Sequence, residues 1–277
     1  MKLLRAAWLI CLLPLAVCAQ EVRSFSFAVV PQFTTAEIHR DWQPLLDRLR
    51  EMTGFEFKLR FSRSIPEFEQ DFQSGTPDFA FLNPYHAVMA SRAQAYVPLL
   101  RDSKPLTGIL VVRRDDPLKS VRQLDGHEVA FPAPNAFGAS LYLRALLAEE
   151  FHIRVTPKYV KTHSNVYRHV IMGEAAAGGG VNNTLEHEAT EVRDRLRVLY
   201  ESPGVASHPI VAHPRVSEAA RKALRDAVLR LAADPANAPL LAAVQLPKPT
   251  LADYARDYRV LENLNLERYV VSSEARP

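Results

Sequence analysis

Cysteine is scarce in this sequence, and neither sign of charge dominates. The chain of 277 residues has two cysteines, Cys11 and Cys18, and both lie within its first twenty residues. If that segment is removed, the mature chain has no disulfide, no thiol chemistry and no cysteine-bound metal. A formal net charge of +3, from 34 Lys and Arg against 31 Asp and Glu, gives no indication of a nucleic-acid partner. With 48% hydrophobic and 23% charged residues, the composition is typical of a folded globular protein.

A long hydrophobic run is also missing. The apolar segment 6–17 is shorter than the roughly 20 residues that a membrane-spanning helix needs, and Pro14 interrupts it. Lys2 and Arg5 precede this segment, and small residues follow it. This layout is typical of a secretory signal peptide over residues 1–19, so we expect a periplasmic protein.

The second cysteine leaves an alternative open. In a lipoprotein signal, Cys18 would be acylated and would stay on the chain as a lipid anchor. Bacterial lipoprotein signals usually have Gly, Ala or Ser before that cysteine, whereas this sequence has Val17. We therefore expect simple cleavage before Gln20.

Patterns of known catalytic and metal sites are absent from the sequence. There is no Gly-x-Ser-x-Gly motif, and His163 and His169 lie six residues apart. His187-Glu188 is not followed by the second histidine of a zinc-protease motif. The glycines at 178–180 lack the Gly-Lys-Ser/Thr of a phosphate loop, which favours close backbone packing instead. We predict no catalytic residue, no metal and no cofactor.

The first part of the mature sequence alternates between strand and helix patterns. Residues 24–30, 55–61 and 78–82 have the alternating or continuous apolar character of strands. Between them, apolar residues recur with helical spacing over 42–49 and 65–72. Strands separated by helices at this spacing predict right-handed crossovers and a mostly parallel sheet.

The same pattern restarts with a strand at 108–113, and a second unit follows. The closing helical stretches, 217–232 and the segment from 234 onward, are expected to pack back on the first unit. We therefore predict an α/β fold with two Rossmann-like lobes, mostly parallel sheets and a two-strand hinge. The predicted division is residues 20–104 plus 206–277 for lobe 1 and residues 105–205 for lobe 2.

Two longer motifs carry a resemblance to a known family. They are Leu-Val-Val-Arg-Arg-Asp-Asp-Pro-Leu at 110–118 and Ser-Val-Arg-Gln-Leu-Asp-Gly at 120–126. In an exported two-lobed chain they resemble type 2 periplasmic binding proteins, most of all the phosphate-, phosphite- and phosphonate-binding subunits of ABC importers. The resemblance extends over residues 25–263. Its other pieces are Pro134-Asn135, the turn at 162–165, Asn182-Asn183-Thr184, Ser202-Pro203 and the segment 209–211.

The resemblance implies a monomer whose lobes close on a small oxyanion and whose partner is a membrane permease or a receptor kinase. The anion would be bound at a helix start, where unpaired N–H groups and the helix dipole favour negative charge. The family has a hydroxyl-rich Ser-Thr-Ser-Gly-like run there, which this chain replaces by Ala136-Phe137-Gly138-Ala139. We expect backbone donors to dominate and selectivity for aminophosphonates to be lost. The predicted cradle consists of Asn135, Ala136, Phe137, Gly138, Ala139 and Ser140.

Five further residues are candidates for ligand contacts because of their positions. Tyr85 and Phe33 follow predicted strands, where open α/β sheets place ligands. His163 matches a family position that hydrogen-bonds the ligand, Asn182 belongs to one of the matching motifs, and His208 stands where aminophosphonate binders have an acid. For each of them a purely structural role, as a cap, loop or surface residue, is the alternative.

The function expected from these observations is an exported solute-binding protein. It would capture a small oxyanion, such as phosphate or a phosphonate, between its lobes for an ABC importer. A ligand sensor that reports to a histidine kinase is one alternative, and a periplasmic enzyme is the other.

Overall fold

The computed structural model describes residues 23–271. The expected signal peptide, with Cys11 and Cys18, lies outside the described residues, as do the last six residues of the predicted first lobe. No helix within residues 23–271 is both long enough and apolar enough to cross a membrane.

Eleven strands form within the described part of the chain. They are β1 (Ser24–Val29), β2 (Glu56–Arg60), β3 (Phe79–Phe81), β4 (Val97–Asp102), β5 (Gly108–Arg113), β6 (Glu128–Phe131), β7 (Thr156–Tyr159), β8 (Ala177–Val181), β9 (Leu196–Glu201), β10 (Pro209–Ala212) and β11 (Pro249–Leu251).

Nine α-helices, counted over the same residues, cover the sheets, and shorter helical turns connect them. The α-helices are α1 (Thr35–Thr53), α2 (Ile65–Gln73), α3 (Pro84–Gln94), α4 (Tyr142–Glu149), α5 (His163–Met172), α6 (Asn182–His187), α7 (Thr190–Arg193), α8 (Glu218–Ala233) and α9 (Ala238–Ala243). A wider, π-helical turn over Phe137–Leu141 leads directly into α4.

Two separate sheets confirm the predicted α/β fold with two lobes. The sheet of the first lobe has the order β11-β4-β10-β3-β1-β2, and that of the second lobe has the order β7-β6-β8-β5-β9. β1 is parallel to β2 and β3, and β6 is parallel to β7 and β8. These parallel groups arise from strand–helix–strand crossovers. Antiparallel strands extend each sheet on one side, namely β10, β4 and β11 in the first lobe and β5 and β9 in the second.

Helix α1 shows how local sequence determines an element. Thr34 caps the helix start, and Glu37 completes a reciprocal capping box with it. Trp42 and Leu45 belong to the buried face that packs on the sheet of the first lobe. Gly54 ends the helix with φ of 73°, a left-handed conformation that glycine adopts without a steric penalty.

The chain passes between the lobes at two adjacent segments. Leu106 and Val205 exchange two backbone hydrogen bonds of 2.9 Å and form an isolated antiparallel bridge. The sequence predicted such a two-strand hinge at this place. The predicted boundaries, after residues 104 and 205, fall on these segments and stay a prediction.

The C-terminal region differs from its prediction as a second long helix. Prolines at positions 235, 239, 247 and 249 interrupt the segment, so that only α9, β11 and short helical turns form. Helix α8 packs on α1 as expected, but the chain from residue 254 onward also contacts the second lobe. There Tyr258, Leu261 and Leu266 share a buried apolar cluster with Phe137 and Tyr142.

Candidate functional site

A small enclosed cavity lies between the lobes, at the ends of strands β1, β3, β6 and β8. Its volume is about 10 Å³, which is room for about one water molecule. We call it the cradle cavity. Its walls are formed by Val30, Gln32, Ile65, Asn83, Ala136, Phe137, Gly138, Ala139, His163, Val181 and His208.

The backbone turn at 136–139 forms one wall of this cavity. Ser140 and Leu141 donate the first helical hydrogen bonds, both to the carbonyl of Ala136, at 2.8 and 3.1 Å. The N–H groups of residues 137–139 therefore precede the first helical donor and have no acceptor within the helix. Because they stand at the positive end of the helix dipole, they suit an anion.

Glycines allow this turn to lie directly against the sheet of the second lobe. A Cβ atom added to Gly179 in β8 would lie 2.0 Å from the carbonyl oxygen of Ala139. One added to Gly108 in β5 would lie 2.4 Å from the carbonyl oxygen of Gly138. The glycines of β8 thus serve close packing, as the sequence predicted, and they position the cradle.

Phe137 fills the space beside the turn. Its ring stacks on Tyr142 of the same lobe, with 5.6 Å between centroids, and faces Tyr85 of the first lobe. Tyr85 does not line the cradle cavity, because its ring packs on Phe137 instead. Burial and the nearby Glu267 carboxylate raise the pKa of Tyr85 to about 12, so its hydroxyl stays neutral.

His163 begins α5 and lines the cavity. The side chain is 2% exposed, and its Nδ1 lies 3.0 Å from the hydroxyl oxygen of Thr184. Burial lowers the pKa of His163 to about 3, so the imidazole is neutral at physiological pH. The neutral imidazole has one N–H, which donates to Thr184 when it is on Nδ1 and can donate to an anion when it is on Nε2. The backbone N–H of His163 also donates to the carbonyl of Gln32, 3.2 Å away in the first lobe.

His208 enters the cavity from the first lobe and is 3% exposed. Gln245 Nε2 donates to Gln32 Oε1 over 3.2 Å, which directs the Gln32 amide nitrogen toward His208 Nε2, also 3.2 Å away. Burial, with smaller effects of His163 and His86, lowers the pKa of His208 to about 3. Since the neutral ring accepts at Nε2, its proton is on Nδ1, and this nitrogen is buried without a hydrogen-bond partner among the described residues.

Asn135 and Ser140, which begin and end the predicted cradle, lie outside the cavity lining. Asn135 Nδ2 lies 3.3 Å from Glu69 Oε2 and donates to the carbonyl of Val271 at 3.1 Å, and its Oδ1 accepts from the N–H of Val271. Ser140 is fully buried, and its hydroxyl oxygen accepts from Arg144 Nε at 3.2 Å. Asn135 therefore connects the lobes, and Ser140 orients an arginine.

Asn182 and Phe33 are also placed away from the cradle cavity. Asn182 Nδ2 donates to the carbonyl of Pro105 at 2.9 Å, and its Oδ1 accepts from the N–H of Thr107 at 3.3 Å. It thus supports one hinge segment. The Phe33 ring lies 4.8 Å from the ring of His187 in the second lobe and borders a larger neighbouring cavity.

Several residues that shape the interlobe region were not among the predicted ligand contacts. Ile65 lines both cavities, and Thr184 orients His163. Arg63 and Lys161 line the larger cavity. Ile65 showed only a helix pattern, Thr184 belonged to a motif of the resemblance, and Arg63 and Lys161 lie in loops of ordinary composition, so their placement in space is what identifies them.

A metal centre does not form in the described part of the chain. No group of three or more His, Cys, Asp or Glu side chains within residues 23–271 is arranged to hold a metal ion.

Comparisons with known proteins agree with this architecture. Residues 27–258 match the sequence model of a family described as the phosphonate periplasmic substrate-binding protein of ABC transporters. No curated protein matches the sequence.

Several solved structures share the fold. The binding protein component of an ABC phosphonate transporter from Pseudomonas aeruginosa has a TM-score of 0.76 and 15% identity, over 92% of each chain. PhnD1 from Prochlorococcus marinus, in complex with methylphosphonate, has a TM-score of 0.80 and 14% identity, over 90% of this chain and 99% of that one. A Xanthomonas citri protein bound to chloride ion has a TM-score of 0.70 and 18% identity, over 89% and 98%.

The family match spans most of the chain, and the two-lobed architecture agrees with it. The chain therefore belongs to the phosphonate-binding family of periplasmic substrate-binding proteins of ABC transporters.

Proposed function

We propose that this protein captures a phosphonate-like oxyanion between its lobes and delivers it, as a monomer, to the membrane permease of an ABC importer. The observation that carries the proposal is the cradle cavity. There, backbone N–H groups of residues 137–139 lie in one enclosed site with two neutral histidines, His163 and His208.

The chemistry of the cradle suits an anion held by neutral donors. None of the described residues that line it is Asp, Glu, Lys or Arg. Hydrogen bonds to an ionised acceptor are about twice as strong as neutral ones, and a low dielectric strengthens them further. Three backbone donors and up to two imidazole N–H groups can therefore bind an oxyanion without a cationic side chain.

Closure of the lobes is part of the proposed cycle. In this arrangement the cradle has room for about one water molecule, so a tetrahedral anion requires the lobes to separate. The paired segments at Leu106 and Val205 serve as the hinge, because the chain passes between the lobes there and they form the only isolated β-bridge in the described chain. Closing around the anion would exclude water.

Calorimetric titration and thermal unfolding test this proposal. We expect methylphosphonate and phosphate to bind and to raise the melting temperature, since a ligand at 100 times its Kd stabilises a protein by about 2.7 kcal/mol. His163→Asn and His208→Asn should weaken binding, whereas His127→Asn, which changes an exposed histidine, should not. Absence of binding by every oxyanion would refute the proposal.

We favour delivery to an importer over the alternatives because the matched family is a transporter family. Stimulation of the cognate permease and ATPase by the loaded protein would support delivery. Stoichiometric recovery of unchanged ligand would support binding without turnover, and steady conversion of the ligand would favour an enzyme instead.

A further inference from the structure

A second, larger cavity borders the cradle between the lobes. Its volume is about 590 Å³, and we call it the vestibule. Residues 31, 33–35, 38 and 62–66 contribute its walls from the first lobe, and residues 132–134, 159, 161 and 162 contribute them from the second. Ile65 lines both cavities, so they adjoin at this side chain. A ligand held in the cradle therefore has adjoining space into which a substituent can extend.

The vestibule carries positive charge that the protein itself does not neutralise. Arg63 from the first lobe and Lys161 from the second line it, and neither has an ion-pair partner among the described residues. No Asp or Glu of residues 23–271 belongs to its lining. Glu37 accepts from the backbone N–H of Thr34 at 2.9 Å, and Glu67 accepts from the backbone N–H of Arg63 itself at 2.8 Å. Neither carboxylate forms an ion pair with the Arg63 guanidinium or the Lys161 ammonium.

Lys161 is held in place by an unusual backbone conformation. Its φ of 79° lies in the left-handed region, which is rare for a residue with a side chain. Its N–H donates to the carbonyl of Pro132 at 2.8 Å, and this bond ties it to the loop that leads to the cradle. Such strained positions concentrate at ligand-binding sites.

Apolar surface accounts for much of the remaining wall. Pro31, Phe33 and Pro66 line the vestibule from the first lobe, and Pro132 and Tyr159 line it from the second. Tyr159 remains 39% exposed. An aromatic or alkyl substituent of a ligand would cover this surface, and burying the apolar surface would favour binding.

We propose that the ligand is an organophosphonate whose substituent fills the vestibule and bears a second anionic group that Arg63 and Lys161 bind. This inference rests on the proposed function, because it places the phosphonate group in the cradle. It also accounts for the absence of hydroxyl side chains at residues 136–138, since contacts with the substituent would replace such donors.

Three probes separate the parts of the proposal in calorimetric titrations of the mature chain. Methylphosphonate occupies only the cradle, phenylphosphonate adds an apolar body, and para-carboxyphenylphosphonate adds the second negative charge. We expect affinity to rise along this series. Para-carboxyphenylphosphonate should bind about tenfold more tightly than phenylphosphonate, which is the gain in affinity expected from one charge-assisted hydrogen bond. That gain should shrink as ionic strength rises.

Four charge-removing variants complete the test. Arg63→Gln and Lys161→Gln should each abolish most of the carboxylate gain and leave the affinity for phenylphosphonate within about twofold. Arg230→Gln and Lys119→Gln remove the same charge from exposed positions outside the vestibule and should leave the series unchanged. All four positions are exposed, so the variants should fold.

The outcomes distinguish this inference from the proposed function. If methylphosphonate binds as tightly as the larger probes, or if Arg63→Gln and Lys161→Gln do not reduce the carboxylate gain, the inference is overturned and the proposed function stands. If phosphate binds but none of the three probes does, only the inference fails. If neither phosphate nor any of the three probes binds, the proposed function fails and the inference fails with it.

Discussion

Phe137 of the second lobe lies parallel to Tyr85 of the first, with 6.4 Å between ring centroids and 15° between ring planes. The two lobes therefore meet through aromatic rings beside the cradle. Phe137 lies in the run where the family that the sequence resembles has hydroxyl side chains. An apolar contact between the lobes has replaced a potential anion donor.

Replacing the Phe137 ring should lower the stability of the protein and strengthen its binding of methylphosphonate. Phe137→Ser would add a hydroxyl at the cradle and enlarge the cavity, so we expect tighter binding of methylphosphonate. Loss of a buried phenyl ring should lower the free energy of unfolding by about 3–5 kcal/mol. Urea unfolding and calorimetry measure the two effects. Phe131→Ser, in the core of the second lobe, should destabilise similarly without improving affinity, and equal affinities of the two variants would contradict the prediction.

The close contact between β8 and the cradle turn predicts that Gly179 does not tolerate a larger side chain. Gly179→Ala would place a methyl group 2.0 Å from the carbonyl oxygen of Ala139, so the turn must shift. We expect loss of methylphosphonate binding and clear destabilisation in thermal unfolding. Gly126→Ala is the control, because nothing lies within 4 Å of its added Cβ and its φ of 76° makes only local strain, about 1 kcal/mol. Normal binding by Gly179→Ala would argue against a cradle at this turn.

The two buried histidines predict a pH dependence of stability. Burial lowers the pKa of both His163 and His208 to about 3, below the value of about 6.5 in an unfolded chain. From about pH 6.5 downward, the unfolded chain therefore binds protons that the folded protein does not, and stability falls with falling pH. Between pH 7 and 5 we expect a loss of about 2 kcal/mol per histidine in urea unfolding.

Variants at these histidines should reduce that dependence. His163→Asn and His208→Asn should each remove about half of the loss between pH 7 and 5, whereas His127→Asn at the surface should leave it in place. A pH profile that stays the same in both buried-site variants would show that other groups cause it.

The C-terminal segment should hold the lobes together. Asn135 binds Val271 through two hydrogen bonds of 3.0 and 3.1 Å, and Arg144 Nη2 donates to the carbonyl of Tyr269 at 2.8 Å. Glu267 pairs with Arg92 of the first lobe at 3.1 Å. This segment thus connects helices of both lobes.

Removing one of these links should favour the open arrangement. We expect Asn135→Ala to cost about 1–3 kcal/mol, because it leaves buried polar partners unpaired, and to increase the radius of gyration in small-angle scattering. Asn237→Ala breaks a hydrogen bond within the first lobe only, between its side chain and the carbonyl of Leu231, and should not change that radius. An unchanged radius in Asn135→Ala would show that the segment does not control closure.

Local sequence determined much of this protein. The capping box at Thr34 and Glu37, the apolar stripe of α1 and the stop at Gly54 define a helix from neighbouring residues alone. The restart of the strand–helix pattern at β5 predicted a second lobe, and the glycines of β8 predicted close packing. Such features need only contacts between residues near in sequence, so their patterns are readable.

Tertiary structure decided how the site is assembled. Asn135 and Tyr85, predicted for ligand contacts, have partners distant in sequence: Asn135 contacts Glu69 and Val271, and the Tyr85 ring packs on Phe137. Their roles in ligand binding stay predictions. Arg63 and Lys161 come to one cavity only because the lobes face each other. The scarcity of cysteine and the balanced charge were visible at once, whereas burial and contacts across the lobes depend on long-range packing that no local pattern encodes.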